Sequence, residues 1–219
     1  MTDPKDDIII PTVAAIKRLG RYLQYLRPLL EHNLESVSAS QISRELGIHE
    51  TQIRRDFSLV GLEGKPKVGH ELKEVIRVIE GYLNVDNTSD AVLVGVGHLG
   101  TALLAYNAFN RFESSGIKIV TAFDKNPELI DTKVHGIHVF DMDKFENLIK
   151  RMSIHIGIIT TTPEHAQEVA NLMIQSGILA IWNFAPVNLK LPPEIIIENA
   201  EIESGLAYIS HMLKNKLKK

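Results

Sequence analysis

The chain is 219 residues long, 44% hydrophobic and 23% charged, with a net charge of −3 and no cysteine. Such a chain has room for one globular domain plus a smaller one, and without cysteine it is denied disulfides, thiol redox chemistry and a cysteine-based zinc site. The slightly negative balance argues against a general nucleic-acid coat, so any DNA contact has to come from a local basic surface.

No basic segment precedes a long apolar core, and Ile8-Ile9-Ile10 is too short to cross a bilayer. A cytoplasmic protein with no membrane partner is therefore expected. Helical periodicity begins after Pro11, with Val13, Ile16, Leu19, Leu23, Leu26 and Leu30 predicted on one buried face and Pro28 predicted to kink or end the helix. Ser38-Ala39-Ser40-Gln41 has the form of a capping box; it opens a short helix that buries Ile42 and Leu46 and stops at Gly47. A third helix, about 50–59, turns Ile53 and Phe57 inward and Gln52, Arg54, Arg55 and Ser58 elsewhere. Short helix, glycine-containing turn, short helix is the helix-turn-helix pattern.

Residues 60–70 are too rich in Gly and Pro for a helix and suit a small β-wing. From His70 to Asn84 a helix returns, with Leu72, Val75, Ile76, Ile79 and Leu83 as its buried stripe. The prediction for residues 1–85 is a winged helix-turn-helix domain. Arg54 and Arg55 are candidates for base edges or phosphates; Ser40, Arg44, Thr51, Gln52 and Ser58 complete the DNA-facing set, and Lys65 and Lys67 would hold the backbone from the wing. The same shape also serves protein contacts, and residues 1–85 balance twelve Lys and Arg against twelve Asp and Glu. Pattern alone leaves both readings open.

After a polar linker at 84–90, the apolar run from Ala91 to Val94 enters Gly95-Val96-Gly97-His98-Leu99-Gly100 and opens onto a helical pattern. Here Gly95 allows a tight turn, Gly97 lets backbone amides approach a pyrophosphate, and Gly100 lets the helix pack close to the sheet. The helix N-terminus faces the phosphates with its positive end. A second strand, Ile117 to Phe123, follows and ends in Asp124, placed to accept a ribose 2′-hydroxyl and to repel a 2′-phosphate. The expected cofactor is NAD(H) rather than NADP(H), with Lys125 beside the ribose.

Lys125-Asn126-Pro127 is a turn, and residues 134–140 add a short strand or excursion. A helix at about 142–151, a strand at 154–160, a helix opening at Pro163 and stopping near Gly177, and strands at 177–182 and 195–197 follow. This alternation predicts a Rossmann-like, doubly wound parallel sheet over 86–203, so the fold class is α/β behind a winged helix. Thr160, Thr161 and Thr162 sit at one strand end and Asn183-Phe184-Ala185-Pro186 at another, so both loops line the crevice of Gly97. Asn183 and Phe184, with Pro186 beside them, suit a nicotinamide; the alternative is that the threonines cap a helix and Phe184 fills core. Residues 204–219 form an amphipathic helix with Leu206, Ile209, Leu213 and Leu217 inward, either against a partner or on its own domain.

A nicotinamide enzyme needs an acid or base beside the hydride. None of Tyr22, Tyr25, Tyr82, Tyr106 or Tyr208 has Lys four residues on, and no length is spare for a substrate domain. No Asp, Glu and His set has metal-ligand spacing; His135 and His138 are an odd number apart, which on a strand would put them on opposite faces, and only His98, inside the glycine loop, is a candidate cofactor contact. No catalytic residue and no metal site is therefore expected. The readings left are a DNA-binding sensor, a small NAD(H)-dependent oxidoreductase and an NAD(H)-regulated interaction module.

Across nearly its whole length the chain resembles the Rex-type redox-sensing transcriptional repressors of bacteria. The resemblance rests on Gln52-Ile53-Arg54-Arg55-Asp56-Phe57-Ser58, on Gly95 to Gly100, on Ala122-Phe123-Asp124, and on Gly177-Ile178 with Asn183-Phe184-Ala185-Pro186. It implies a homodimer that exchanges a C-terminal helix, a double-stranded operator of two-fold symmetry, and release from DNA when NADH binds, with NAD⁺ as the oxidised form sensed. Three family positions link cofactor state to domain orientation. Tyr106 is retained, but Gln24 stands where the family has Arg and Glu201 where it has Asp. Pro66, Lys67 and His70 replace the wing's usual Arg, Gly and Tyr. The chain is expected to be a divergent member with an altered redox response.

Overall fold

The computed structural model of the chain describes residues 11–62, 69–85, 87–200 and 202–217. Its contacts divide it into two units, 1–87 and 88–219.

In the first unit, α1 (Val13–Glu31), α2 (Ala39–Leu46), α3 (Glu50–Leu59) and α4 (Leu72–Leu83) enclose one apolar core. Ser38 caps α2 through the expected capping box, and Gly47 ends it in the left-handed conformation. The buried stripe of α1 runs through Ala15, Leu19, Tyr22, Leu23 and Leu26. Val13 and Ile16, expected on that stripe, are exposed. Val13 lies two residues from Ala15, roughly 200° round the helix, so it cannot share Ala15's face. Pro28 does not end α1, which continues to Glu31. So close to the helix end, the ring deprives only one carbonyl of its donor, that of the exposed Gln24.

A two-residue antiparallel pair, β1 (Ser36–Val37) with β2 (His70–Glu71), was not legible in the sequence. It claims His70 and Glu71 from the predicted helix, and α4 starts at Leu72. Lys65, Pro66 and Lys67, the predicted wing, lie outside the described residues.

The second unit is built on β3 (Ser89–Val94), β4 (Ile117–Asp124), β5 (Lys133–Val134), β6 (Ile137–Asp141), β7 (Ile156–Ile159), β8 (Ala180–Asn183) and β9 (Ile196–Asn199). They form one sheet in the order β5-β6-β4-β3-β7-β8-β9, parallel except for the β5–β6 hairpin. His135 lies in the turn of that hairpin and His138 on β6. Without β5, the strands wind outward in two halves from β3 and β7, the doubly wound order with its switch point between them. Helix α5 (His98–Ala108) covers one face over Leu93, Ile119 and Ala122; α6 (Phe145–Met152) and α7 (Pro163–Gln175) cover the other over Val92, Phe123 and Ile159. Residues 142–144 form a 3₁₀ turn ahead of α6 rather than its first turn. A final helix, α8 (Ile202–Leu217), follows β9. Among the described residues, no helix is long and apolar enough to cross a membrane.

Candidate functional site

The carboxyl ends of β3, β4 and β7 meet at the glycine loop. Gly95 leaves β3 with φ +100°, and a Cβ there would come within 2.8 Å of the Thr160 carbonyl carbon. A Cβ on Gly100 would meet the Gly95 oxygen at 2.0 Å. The Thr160 hydroxyl donates to the carbonyl of Gly95 at 2.7 Å, bracing the turn from β7. Gly95 and Gly100 are thus demanded by the fold itself. Gly97 is not: a Cβ there would have no atom within 4 Å. Gly97 is also the N-cap residue of α5, with no side chain capping the helix, so the positive helix end opens toward that space.

Asp124, at the end of β4, accepts from the Val96 amide at 2.6 Å and from the Asn126 amide at 2.8 Å. It shapes the loop, and each oxygen keeps a second lone pair for a ribose hydroxyl. A cleft of about 240 Å³ runs here between Gly97, Asp124, Lys125, Thr161, Thr162 and His165. The buried Thr161 hydroxyl oxygen has no protein partner among the described residues. An open helix end, a carboxylate with spare lone pairs and an orphaned hydroxyl on one cleft could hold the adenosine-diphosphate half of a dinucleotide. Thr162 occupies the N-cap position of α7 but makes no side-chain cap bond there, and Lys125 lies 3.8 Å from Glu168. The Val96 side chain is buried, whereas His98 and Leu99 are exposed and line neither this cleft nor the next.

Asn183 is 1% exposed, and its amide nitrogen donates to Ala185 O, Val187 O and Asn199 Oδ1 while its oxygen accepts from the Ala185 amide. The amide folds its own loop onto β9 and is not presented to a ligand. Phe184, Pro186 and Asn188 line a second cleft of about 560 Å³ with Asn199 and Glu203. Phe184 also packs on Trp182 at 4.5 Å between ring centroids, Trp182 on Phe112 at 5.8 Å and Phe112 on Tyr106 at 4.9 Å. Tyr106 is half-exposed at the end of that row; Gln24, in the other unit, is exposed, and Glu201 lies outside the described residues. Among the described residues no three His, Asp or Glu side chains gather as a metal site.

Asn107 was missed by the sequence reading. Buried in α5, it donates to Ile119 O at 3.0 Å and accepts from Ile119 N at 2.9 Å. Its side chain thereby pairs with β4 backbone beside a register shift in the β3–β4 ladder and anchors the helix that carries the glycine loop.

In the first unit, Arg44, Thr51, Arg54, Arg55 and Ser58 are exposed, and Ser40 shares a hydrogen bond with the capping Ser38. Arg54 pairs with Glu50 along α3 at 3.1 Å. Gln52 is half-buried and donates to Asp56, a residue the sequence reading gave no role. Asp56 is 2% exposed and also receives both forks of Arg18 and the Tyr22 hydroxyl. Burial works to raise its pKa, but the bonds from Arg18, Tyr22 and Gln52 outweigh burial and hold it below the ordinary carboxylate value. Tyr22 is pushed well above its usual value by burial and then by the bond to Asp56.

The apolar side chains of α8, expected to face inward, are exposed: Leu206 63%, Ile209 60%, Leu213 53% and Leu217 77%. They do not pack on their own unit, and β9, from which α8 departs, is likewise exposed along its length.

Comparison with known proteins accounts for both units. Residues 10–58 match the family described as "Putative DNA-binding protein N-terminus", and residues 86–187 match a CoA binding domain family. The chain is 36% identical to the redox-sensing transcriptional repressor Rex of Clostridium beijerinckii, over 92% of this chain and 94% of that one. It is also 36% identical to the Rex repressor of Bacteroides fragilis, over 95% and 93%. Among solved structures it is similar to the Rex-family repressor RSP in complex with β-NAD⁺ and operator DNA (TM-score 0.86, 33% identity, 94% of each chain). The same protein in complex with β-NADH is matched at TM-score 0.84 and 33% identity, covering 94% of this chain and 96% of that one.

Proposed function

The chain belongs to the Rex family of redox-sensing transcriptional repressors, and we propose that it binds a palindromic operator as a homodimer and lets go when NADH binds. It is a repressor and not an enzyme. Its place of action in this reading is the cytoplasm, where operator DNA lies. The observation that carries the cofactor half is Gly97, the one glycine of the loop that the protein's own packing does not require.

The α5 N-terminus and Gly97 would take the pyrophosphate, Asp124 the adenosine ribose, and Thr161 a further polar group of the ligand. Because Asp124 would repel a 2′-phosphate, the preference is for NAD(H) over NADP(H). What the nicotinamide supplies when bound is a charge that differs between its two redox states. The apolar wall of Phe184 and Pro186 favours the neutral reduced form, since a cation against it would lose hydration, and this outweighs the opposing pull of Glu203 on the same cleft.

The exposed face of α3, with Arg54 and Arg55, would enter the major groove. The uncovered stripe of α8, together with exposed Tyr106 on α5 and Phe109 just after it, is too much apolar surface for a lone subunit. A second copy that exchanges α8 covers both. Gln24 cannot make the charge-assisted bond available to an arginine, which weakens the coupling between cofactor and DNA by about 1 kcal/mol or more.

The test is selection of bound fragments from a random DNA pool, run with no cofactor, with NAD⁺ and with NADH at one salt concentration. A palindrome enriched without NADH and depleted with it is expected. By linkage, operator should weaken NADH binding by the factor that NADH weakens operator binding, about 5- to 150-fold. NADH affinity indifferent to operator would overturn the mechanism.

A further inference from the structure

Asp56 lies one turn after Gln52 on the outward-facing recognition helix, yet it is nearly inaccessible. Arg18 donates to it twice, each at 2.7 Å, Tyr22 once at 2.7 Å, and Gln52 once at 2.9 Å. Both oxygens thus accept two bonds each, the full capacity of a carboxylate. Three of the four come from α1, so the recognition helix is pinned to α1 through a buried charge.

The fourth bond bears on sequence reading. A glutamine amide normally turns either end toward a base, and the paired contact to adenine uses both ends. A carboxylate held ionised by a guanidinium only accepts, so Gln52 must turn its NH₂ inward. Its carbonyl oxygen is left for whatever lies against the helix, at the border of the exposed face formed by Thr51, Arg54, Arg55 and Ser58.

We propose that Asp56 is a positioning residue for operator recognition: it fixes the amide of Gln52 so that the carbonyl oxygen reads a base bearing an exocyclic amino group in the major groove, adenine or cytosine. This rests on the DNA-binding reading above. Gln52 touches the base, and Asp56, with Arg18 and Tyr22 behind it, decides which atom of Gln52 does so.

The experiment repeats the DNA selection with the full-length wild type, Gln52→Leu, Asp56→Asn and the double variant, and measures operator against random DNA at several salt concentrations. The wild type should fix A or C at one symmetric pair of positions. Gln52→Leu and Asp56→Asn should each reduce that preference about 5- to 100-fold at the same base pair, with the double variant no worse than either. The salt slope should not change, since no phosphate contact is removed. Loss of general fold strength would not single out one base pair. Gln52→Leu leaves the bonds from Arg18 and Tyr22 to Asp56 in place, and should Asp56→Asn fail to fold, Tyr22→Phe removes a single donor and should blur the same base pair. A palindrome unaltered by Gln52→Leu, or an Asp56→Asn protein that loses operator and random DNA equally, overturns the inference alone. A wild type that enriches no sequence overturns the DNA-binding reading and this inference with it.

Discussion

The proposed recognition helix and the proposed cofactor loop are positioned by opposite means. Helix α3 is held from behind by a buried charge, with Arg18 and Tyr22 of α1 converging on Asp56. The loop at Gly95 to Gly100 is held by steric closeness, backbone against backbone, with the Thr160 hydroxyl as brace. A charge clamp is long-range in sequence and sensitive to acid and to removal of one partner. A steric clamp, which here also reaches across the chain to Thr160, is indifferent to pH and fails when an atom is added. The first suits a helix that has to present directed side chains; the second suits a backbone that has to leave space for a ligand.

The sharpest way to break this contrast is Asp56→Ala, which removes four hydrogen bonds and leaves the buried Tyr22 hydroxyl without its acceptor, and should cost about 2–4 kcal/mol of stability, measured by urea unfolding of the full chain. A loss below about 1 kcal/mol, the size of a surface pair, would mean that the clamp is not what holds α3. Next comes Asp124→Ala, expected to weaken NADH binding by about 1.5–3 kcal/mol in calorimetry and to relax discrimination against NADPH. Unchanged affinity for both would refute the ribose assignment.

The glycine loop offers a matched pair. Gly100→Ala forces a methyl group onto the Gly95 carbonyl and should destabilise the fold by about 1–3 kcal/mol, whereas Gly97→Ala should leave the melting temperature in place and still weaken NADH binding about tenfold or more. Equal melting losses for the two would erase the distinction between a fold glycine and a ligand glycine. On the DNA side, Arg54→Ala should cost about 1–3 kcal/mol on operator if it reads a base, and a uniform loss on all DNA would make it a phosphate contact.

The smallest effect is the acid limb. The pKa of Asp56 is depressed in the folded state, so its stabilisation is complete above the unfolded carboxylate value, about 3.9, and fades as pH falls through the lower native value. The urea midpoint should hold steady from pH 7 to 5, then fall below about pH 4, and Asp56→Ala should lack that part of the fall.

Much of both surfaces was legible in the chain because its signals are local. The capping box at Ser38 to Gln41, the stop at Gly47 and the spacing of Gly95, Gly97 and Gly100 each specify geometry within a few residues. The strand ending in Asp124 needed only one further step, since parallel strands on either side of a helix must bring their carboxyl ends together. Asn183 was misjudged as a ligand group because an amide beside an aromatic looks the same whether it faces a cofactor or its own loop. The apolar stripe of α8 was legible but its cover was not: periodicity reveals an apolar face without what lies against it, and the fold shows that its own unit does not cover it.

What the sequence determined by itself was most of the order of elements, the two-part division into a helical unit and a Rossmann-like unit, and the geometry of the glycine loop. These follow from hydrophobic period and from conformations only certain residues adopt. The tertiary structure alone decided that Asp56, in a run of charged residues, is buried among donors from 34 and 38 residues away, and that Asn107 supplies a partner for β4 backbone. A buried polar group must find its partners wherever the fold brings them, and sequence distance does not record that meeting.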